Sequence, residues 1–116
     1  MELNTQSHEQ VVLVIANAPS ELLAKRIGHK AVEKGLAACV NLGEPTLSMY
    51  MWKDTLESAE EVPMTFKTTG ARVLALMEHI KSIHPYEVPE IIVLPVIAGL
   101  DAYIEWVKNS TRAKDQ

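Results

Sequence analysis

Two runs of consecutive apolar residues, near opposite ends of the chain, constrain the fold more than any other feature. Residues 11–16 read VVLVIA, and residues 91–96 read IIVLPV. Short apolar runs that are rich in Val and Ile are typical of strands that are buried on both faces. The fold must therefore cover both sides of a strand that lies near each end of the sequence.

Two segments between these runs have the periodicity of amphipathic helices. The first begins at Ser20, a suitable N-cap, and ends before Gly35, a suitable C-cap. The second covers about residues 70–82, and its apolar side chains fall on one helix face. These side chains are Val73, Leu76, Met77 and Ile80. Both patterns predict helices that bury one side.

Further strands are predicted between the two helices. Residues 36–42 form a mostly apolar run, and residues 46–52 and 60–68 alternate between apolar and polar side chains. The two alternating segments predict a hairpin around a turn at residues 53–55. Pro63 has no backbone N–H, which predicts that it lies at an edge or a bulge of its strand.

The element order follows the β-α-β-β-α-β pattern of the ferredoxin-like fold, an α+β sandwich with both helices on one face of the sheet. We expect one domain at residues 10–112, after a disordered lead-in at residues 1–9 and before a polar tail at residues 113–116. A short C-terminal helix is predicted to begin at Asp101, with an apolar side made of Tyr103, Ile104, Trp106 and Val107.

Apolar side chains on the uncovered face of this sheet need another cover. The two crossover helices cover only one face, and the C-terminal helix is too short to cover the other. Burial of a Val or Leu side chain contributes roughly 1.5–3 kcal/mol, so several exposed ones strongly favour association. The sequence therefore predicts a homo-oligomer.

Charge and cysteine content exclude several classes of protein. The net charge is −4, and no basic run is longer than Lys25-Arg26, which argues against nucleic acid or an anionic membrane as a partner. Cys39 is the only cysteine, so no internal disulfide can form. Residues 1–10 lack the basic start of a signal peptide, and residues 11–16 are too few to span a membrane. We expect a cytoplasmic protein.

The string HPYEVPE at residues 84–90 joins the second helix to the last strand. Its two prolines fix the backbone and remove two donors, which predicts an ordered, extended connector. Such a connector suits a binding site, because it presents an imidazole, a phenol and two carboxylates on a stiff backbone. It equally suits a rigid turn between a helix and a strand.

Several of these segments resemble the CutA family of divalent-cation tolerance proteins, over about residues 11–112. The resemblance rests on the strings LAACVN at residues 36–41, SMYMW at 48–52, KTT at 67–69, HPYEVPEI at 84–91 and YIEW at 103–106. It implies a small ferredoxin-like domain that forms a very stable homotrimer and is linked to copper and other divalent cations. A trimer agrees with the need to cover the second face of the sheet.

For some family members the resemblance also implies a copper site, made of a cysteine just after the first strand and a pair of histidines. In this chain the cysteine position is Ala16, and the histidine pair reads Ile83-His84. One of the three ligands is therefore present. Cys39 belongs to a different strand and does not replace the missing cysteine.

His84, Glu87 and Glu90 are the candidate metal ligands of this chain. A neutral imidazole suits copper or zinc, and two nearby carboxylates can complete a weak site. The alternatives are structural, since His84 can cap the second helix and either carboxylate can pair with Lys67 or an Arg across a subunit boundary. A closed metal site normally has three or four ligands, which favours the structural alternatives.

A cleft between subunits is the second candidate site. Glu61 and Lys67 lie on one face of their predicted strand, and aromatic side chains can either stack on a ligand or anchor an interface. The residues assigned to this cleft are Tyr50, Trp52, Glu61, Lys67, Tyr86 and Trp106.

The remaining Met, Cys and His side chains are not predicted to form a site. The period-2 spacing of Met49, Met51 and Met64 predicts core positions rather than copper ligands. Cys39 is expected to be a small buried apolar residue. The other histidines, which share no site, are expected at the surface: His8, His29 and His79.

Together these features predict a trimeric, non-enzymatic divalent-cation tolerance protein that binds copper or other divalent ions weakly and needs no cofactor to fold. The alternative is a PII-like trimeric signalling module with a small ligand in an intersubunit cleft, although no Gly-rich loop or basic cluster would hold a phosphate chain. Residues 17–20 lack the anion loop of acylphosphatase and the Cys-x-x-Cys of ferredoxin-like heavy-metal chaperones, both of which have similar folds.

Overall fold

The structure, a computed structural model, describes residues 8–112. Residues 1–7, which make up most of the predicted lead-in, and the predicted tail at residues 113–116 lie outside the described residues. The elements in chain order are β1 (Val11–Ala18), α1 (Glu21–Glu33), β2 (Cys39–Leu42), β3 (Thr46–Trp52), β4 (Thr55–Thr69), α2 (Val73–Ile83), β5 (Ile91–Pro95) and α3 (Asp101–Thr111).

The strands form one antiparallel sheet in which β1 lies between β4 and β5. The order across the sheet is β2-β4-β1-β5, and β3 pairs with the first half of β4. This arrangement, with α1 and α2 as the crossover helices, confirms the predicted α+β, ferredoxin-like fold. The two apolar runs from the ends of the sequence are neighbours in space, because β1 pairs with β5.

Alternate residues of β1 and β4 form the floor of the core. Val14 lies opposite Phe66, and Ala16 lies opposite Met64, and all four side chains are fully buried. Helices α1 and α2 cover this face with their predicted apolar sides. Their buried members include Ala24, Ile27, Ala31, Val73, Leu76 and Ile80.

The ends of α1 are as predicted. Ser20 has an extended backbone, and its Oγ accepts a hydrogen bond from the backbone N–H of Leu23 at 3.2 Å. Gly35 adopts a φ of 73° just after the helix, a conformation that favours glycine. These caps fix the length of α1 over the sheet.

Strand β4 is longer than the sequence predicts. It begins at Thr55 rather than near residue 60, and a two-residue turn, Lys53 and Asp54, joins it to β3. Pro63 lies opposite Asn17 of β1, and on its other side the pairing register shifts by one residue, as at a bulge. Pro63 lies where β4 changes partner, since β3 pairs with residues 55–61 and β2 pairs with residues 64–67.

Beyond the helices the hairpin of β3 and β4 projects as a two-stranded arm, and one side of this arm is apolar. The side chains of Leu47, Met49, Met51 and Leu56 are between 63% and 70% exposed in the single chain. The prediction that Met49 and Met51 are core residues is therefore wrong for the single chain, because none of the described helices covers this part of the hairpin. Met64, in the second half of β4, is fully buried as predicted.

The sheet face opposite α1 and α2 is only partly covered. Helix α3 buries Val107 against Val11 and Ala38 at one end of this face. On the open part, the β1–β5 register pairs residue 15 with Ile92 and residue 13 with Leu94; Ile92 is 49% exposed and Leu94 is 45% exposed. Among the described residues, no helix has the length and apolar character needed to cross a membrane.

Candidate functional site

A cavity of about 480 Å³ lies between the β3–β4 arm and the connector that joins α2 to β5. The arm and the connector each contribute four side chains to it. The lining residues are Tyr50, Trp52, Glu57, Glu61, Tyr86, Glu87, Val88 and Glu90. This is the cavity that we call the acidic aromatic cavity.

The arm presents its four residues through the alternation of a β-ribbon. Tyr50 lies directly opposite Glu57. Trp52 lies two residues from Tyr50, and Glu61 lies four residues from Glu57, so all four share one face. The opposite face carries the exposed apolar residues described above. One face of the arm is thus polar and aromatic, whereas the other is aliphatic.

The imidazole of His84 anchors the connector to β1. Its Nε2 lies 2.7 Å from the backbone oxygen of Asn17, and its Nδ1 accepts a hydrogen bond from the backbone N–H of Tyr86 at 3.2 Å. Because Nδ1 accepts and Nε2 faces a carbonyl, the neutral tautomer that carries the proton on Nε2 fits both contacts. His84 is buried, and the edge of its ring meets Tyr86 at a centroid distance of 4.6 Å.

A second contact with Asn17 fixes the far end of the connector. The side-chain Nδ2 of Asn17 donates to Oε1 of Glu90 at 2.9 Å. Asn17 therefore holds both His84 and Glu90, which lie at opposite ends of the connector. The stiffness that the two prolines predict is reinforced by contacts with the central part of the sheet.

Glu61 and Tyr86 form a hydrogen-bonded pair at the base of the cavity. Glu61 is only 6% exposed, and its carboxylate accepts a hydrogen bond from the Tyr86 hydroxyl. Burial raises the pKa of Tyr86 to about 12, and the hydrogen bond and negative charge of Glu61 and the neighbouring Tyr50 contribute to the same rise. The phenol of Tyr86 thus stays protonated and keeps the carboxylate oriented.

The acidic aromatic cavity is built to attract cations. Four of its eight lining residues are glutamates, three are aromatic, and none of those in the described part of the chain is Lys or Arg. Lys53, at the tip of the arm, places its Nζ 5.7 Å from the centroid of the Trp52 ring. Carboxylates and aromatic ring faces both attract positive charge.

The predicted metal ligands do not converge. Within residues 8–112, no group of three His, Cys, Asp or Glu side chains is arranged to hold a metal ion. Glu87 and Glu90 both line the acidic aromatic cavity, whereas both nitrogens of His84 are engaged with backbone groups. Metal binding by these three residues stays a prediction.

Four of the six residues predicted for the cleft come together in the acidic aromatic cavity of one chain. They are Tyr50, Trp52, Glu61 and Tyr86. Lys67 does not join them, because it lies six residues beyond Glu61, about 20 Å along the strand. Its Nζ donates to Oδ1 of Asn41 and lies 3.7 Å from the Sγ of Cys39.

Trp106 also lies away from this cavity. It packs against Tyr103 on α3, with a ring-centroid distance of 5.5 Å. Sequence reasoning missed Glu57 and Val88. Glu57 can be recognised as a lining residue only when β4 is known to start at Thr55. Val88 lies within the predicted connector, so the sequence could have included it with its neighbours.

Two structural predictions for other residues need correction. His79 was expected at the surface, but it is buried, and its Nε2 lies 3.0 Å from the backbone oxygen of Ile27. It joins α2 to α1, because residue 79 lies between Leu76 and Ile80 on the buried helix face. Cys39 is half-buried rather than fully buried, since it lies on the open face of the sheet.

Comparison with known proteins gives one consistent result. The family model described as CutA1 divalent ion tolerance protein matches residues 12–110. The divalent-cation tolerance protein CutA of Escherichia coli O139:H28 is 41% identical over 106 residues, which are 91% of this chain and 95% of the relative. The mouse protein named CutA is 45% identical over 103 residues, and the match spans 89% of this chain but 58% of the mouse protein.

Solved structures agree. The CutA1 crystal structure from the psychrotrophic bacterium Shewanella sp. SIB1 superimposes with a TM-score of 0.87 at 35% identity, and the match covers 90% of this chain and 97% of that one. The divalent cation tolerance protein from Thermus thermophilus gives a TM-score of 0.86 at 36% identity, and the match covers 88% of this chain and 99% of that one.

Proposed function

Because the chain belongs to the CutA1 family of divalent ion tolerance proteins, we propose that it contributes to divalent-cation tolerance by binding such ions directly and weakly, as a homotrimer and without catalysing a reaction. The observation that carries this proposal is the acidic aromatic cavity, with four glutamates and no basic lining residue among the described part of the chain. Its negative charge raises the local concentration of divalent cations.

The weakness of the proposed binding follows from the geometry. The carboxylates of the described chain are not gathered into a three-ligand set, so an ion must draw side chains together and order them. Glu87 and Glu90 are exposed and line the cavity. Asn17 holds Glu90 in place, whereas the exposure of Glu87 leaves it room to move towards an ion. We assign the first contact with the ion to these two carboxylates.

Copper is harder to bind at this site than Mg²⁺, Ca²⁺ or Mn²⁺. Carboxylate oxygens alone suit Mg²⁺, Ca²⁺ or Mn²⁺, whereas copper favours an imidazole. His84 is the imidazole of the connector, and it would have to give up its contact with Asn17 or with Tyr86 to bind copper. Copper binding therefore requires a local rearrangement of the connector, which adds to its cost.

The signalling alternative finds no support in the relatives reported above or in the charge of the cavity. A nucleotide would bring a phosphate chain next to four carboxylates, and like charges at this range repel. A non-enzymatic role stays a prediction from the sequence.

The exposed apolar surface supports the trimer. Ile92 and Leu94 on the open sheet face, together with the aliphatic side of the arm, are exposed in the single chain, and exposed apolar patches are typical of surfaces that bind another protein chain. The cleft proposed between subunits then includes the acidic aromatic cavity, and Lys67 or Trp106 can reach it only from a neighbouring chain. A cytoplasmic location stays a prediction from the sequence.

Titration with Mn²⁺ followed by calorimetry or electron paramagnetic resonance tests the proposed ion site. The double variant Glu87→Gln/Glu90→Gln should weaken Mn²⁺ binding by about tenfold or more, equivalent to about 1.4 kcal/mol, because two charges are lost and the shapes are kept. Glu33→Gln is the matched control, since Glu33 is exposed on α1, away from the cavity.

The same titration with Cu²⁺, in His84→Gln, tests the imidazole. Weaker copper binding with normal Mn²⁺ binding would identify His84 as a copper ligand. If Glu87→Gln/Glu90→Gln binds Mn²⁺ as tightly as the unchanged protein does, the proposed ion site is wrong.

A further inference from the structure

The three aromatic rings of the acidic aromatic cavity are not explained by an inorganic ion. Tyr50, Trp52 and Tyr86 line the cavity together with its four glutamates. A hydrated divalent metal ion needs oxygen or nitrogen ligands and gains little from ring faces. An organic ammonium group, in contrast, is attracted both by a carboxylate and by the face of a Trp or Tyr ring.

An ammonium group of the protein itself already lies over one of these rings. The Nζ of Lys53 lies 5.7 Å from the centroid of Trp52, within the distance at which a cation and a ring attract each other. Lys53 lies in the turn of the arm, outside the set of lining residues. The contact shows that an ammonium group can lie against the Trp52 ring.

The volume and the charge of the acidic aromatic cavity limit the class of ligand that it can bind. The volume of about 480 Å³ falls within the range of sites for small organic molecules, roughly 300–1,000 Å³. Four carboxylates facing one cavity are best balanced by a ligand with more than one positive charge. Methylene groups between those charges would lie against Val88 and the aromatic rings, which are the apolar part of the lining.

The base of the cavity is preorganised for such a ligand. Glu61 is buried and held by the Tyr86 hydroxyl, while Glu90 is held by Asn17. Two of the four carboxylates are thus fixed by contacts inside the protein, and Glu57 and Glu87 remain to adapt. Fixed charges lower the cost of ordering the site when a ligand binds.

We propose that the acidic aromatic cavity binds an aliphatic polyamine, with an ammonium group on the face of Trp52 and further ammonium groups paired with the glutamates. This inference goes beyond cation tolerance and does not require that the cavity hold a metal ion. It also gives Lys53 a role, because its ammonium group competes with the ligand for the same ring.

Calorimetric titration of the full chain with spermidine tests this proposal. Trp52→Leu should weaken spermidine binding about three- to tenfold, the loss expected from one cation–π contact, and should weaken Mn²⁺ binding much less. Lys53→Gln should strengthen spermidine binding, because it removes the competing ammonium group. Lys81→Gln is its matched control, since Lys81 is exposed on α2 and its loss should change nothing.

The outcomes separate this proposal from the proposed function. If spermidine does not bind at millimolar concentration, or binds equally well to Trp52→Leu, the polyamine site is wrong while the ion site stands. If Trp52→Leu weakens Mn²⁺ and spermidine to the same extent, the ring acts only on the shape of the cavity, and the polyamine assignment also falls. Sedimentation of each variant checks that assembly is unchanged.

Discussion

At the scale of single residues, the pair of Glu61 and Tyr86 links stability to the candidate site. A buried carboxylate is costly unless its oxygens are hydrogen-bonded, and the Tyr86 hydroxyl supplies that bond. Burial, together with the same bond, raises the pKa of Tyr86 to about 12. Because the neutral phenol is favoured in the folded protein, its contribution to stability is complete below about pH 10 and is lost as the pH rises towards 12.

Tyr86→Phe should lower the free energy of unfolding at pH 7 by roughly 1–3 kcal/mol, because Glu61 loses a partner while the ring is kept. Urea denaturation between pH 7 and pH 12 measures this effect. The unchanged protein should lose stability above pH 10, whereas the variant should lack the part of this loss that comes from Tyr86. Tyr103→Phe, which removes the hydroxyl of an exposed side chain on α3, should behave like the unchanged protein.

The sequence alone identified the residue types at the site better than it identified the residues that contact them in space. His84, Glu87 and Glu90 stood out because they lie in one stiff connector, but the sequence could not reveal that Asn17, on another strand, bonds to His84. Lys67 was grouped with Glu61 because alternation assigns a strand face. Alternation does not give the distance along the strand, and six residues separate the two side chains.

At the scale of elements, the β3–β4 arm is the part that the sequence described least well. Residues 56–60 read LESAE, and only one of them is large and apolar. The arm extends beyond α1 and α2, so no packing partner within the described chain imposes the usual alternation. The strands of the central sheet could be predicted because at least one face of each strand packs against a core.

The turn of the arm offers a second prediction. Lys53 and Asp54 have φ values of 51° and 68°, the geometry of a type I′ turn, which favours Asn-Gly. Asp54→Gly should raise the free energy of unfolding by about 0.5–1 kcal/mol, since glycine adopts this conformation without steric strain. Chemical denaturation measures the gain.

Glu44→Gly provides the control for the added backbone freedom of glycine. Glu44 lies in the loop between β2 and β3 and is not among the residues with positive φ. This change should give no gain in stability. An equal gain in both variants would contradict the assignment of strain to the turn.

At the scale of the whole molecule, we expect the chains to assemble through the open face of the sheet and the aliphatic side of the arm. The apolar runs at both ends of the sequence predicted the need for a cover, and the single chain leaves Ile92 and Leu94 partly exposed. The sequence could not predict which surfaces meet in the expected trimer, because its pattern assigns Met49 and Met51 of the arm to the core.

Sedimentation at low micromolar concentration should give a trimer, and Leu94→Asp should dissociate it by placing a charge on the open face. Leu22→Asp is the matched control, because Leu22 is 80% exposed on α1, on the outer helical layer. A monomer in the unchanged protein would contradict the trimer. If Leu94→Asp leaves the trimer intact, Leu94 does not lie at the interface.

The position of β1 between β4 and β5 also matters while the chain is being synthesised. β1 leaves the ribosome before its partners, which are residues 62–69 and 91–95. At 5–20 residues per second, the roughly 75 residues that separate it from the end of β5 take about 4–15 seconds to make. Throughout this interval at least one edge of an apolar strand lacks its native partner, so the nascent chain is exposed to aggregation for longer than its small size suggests.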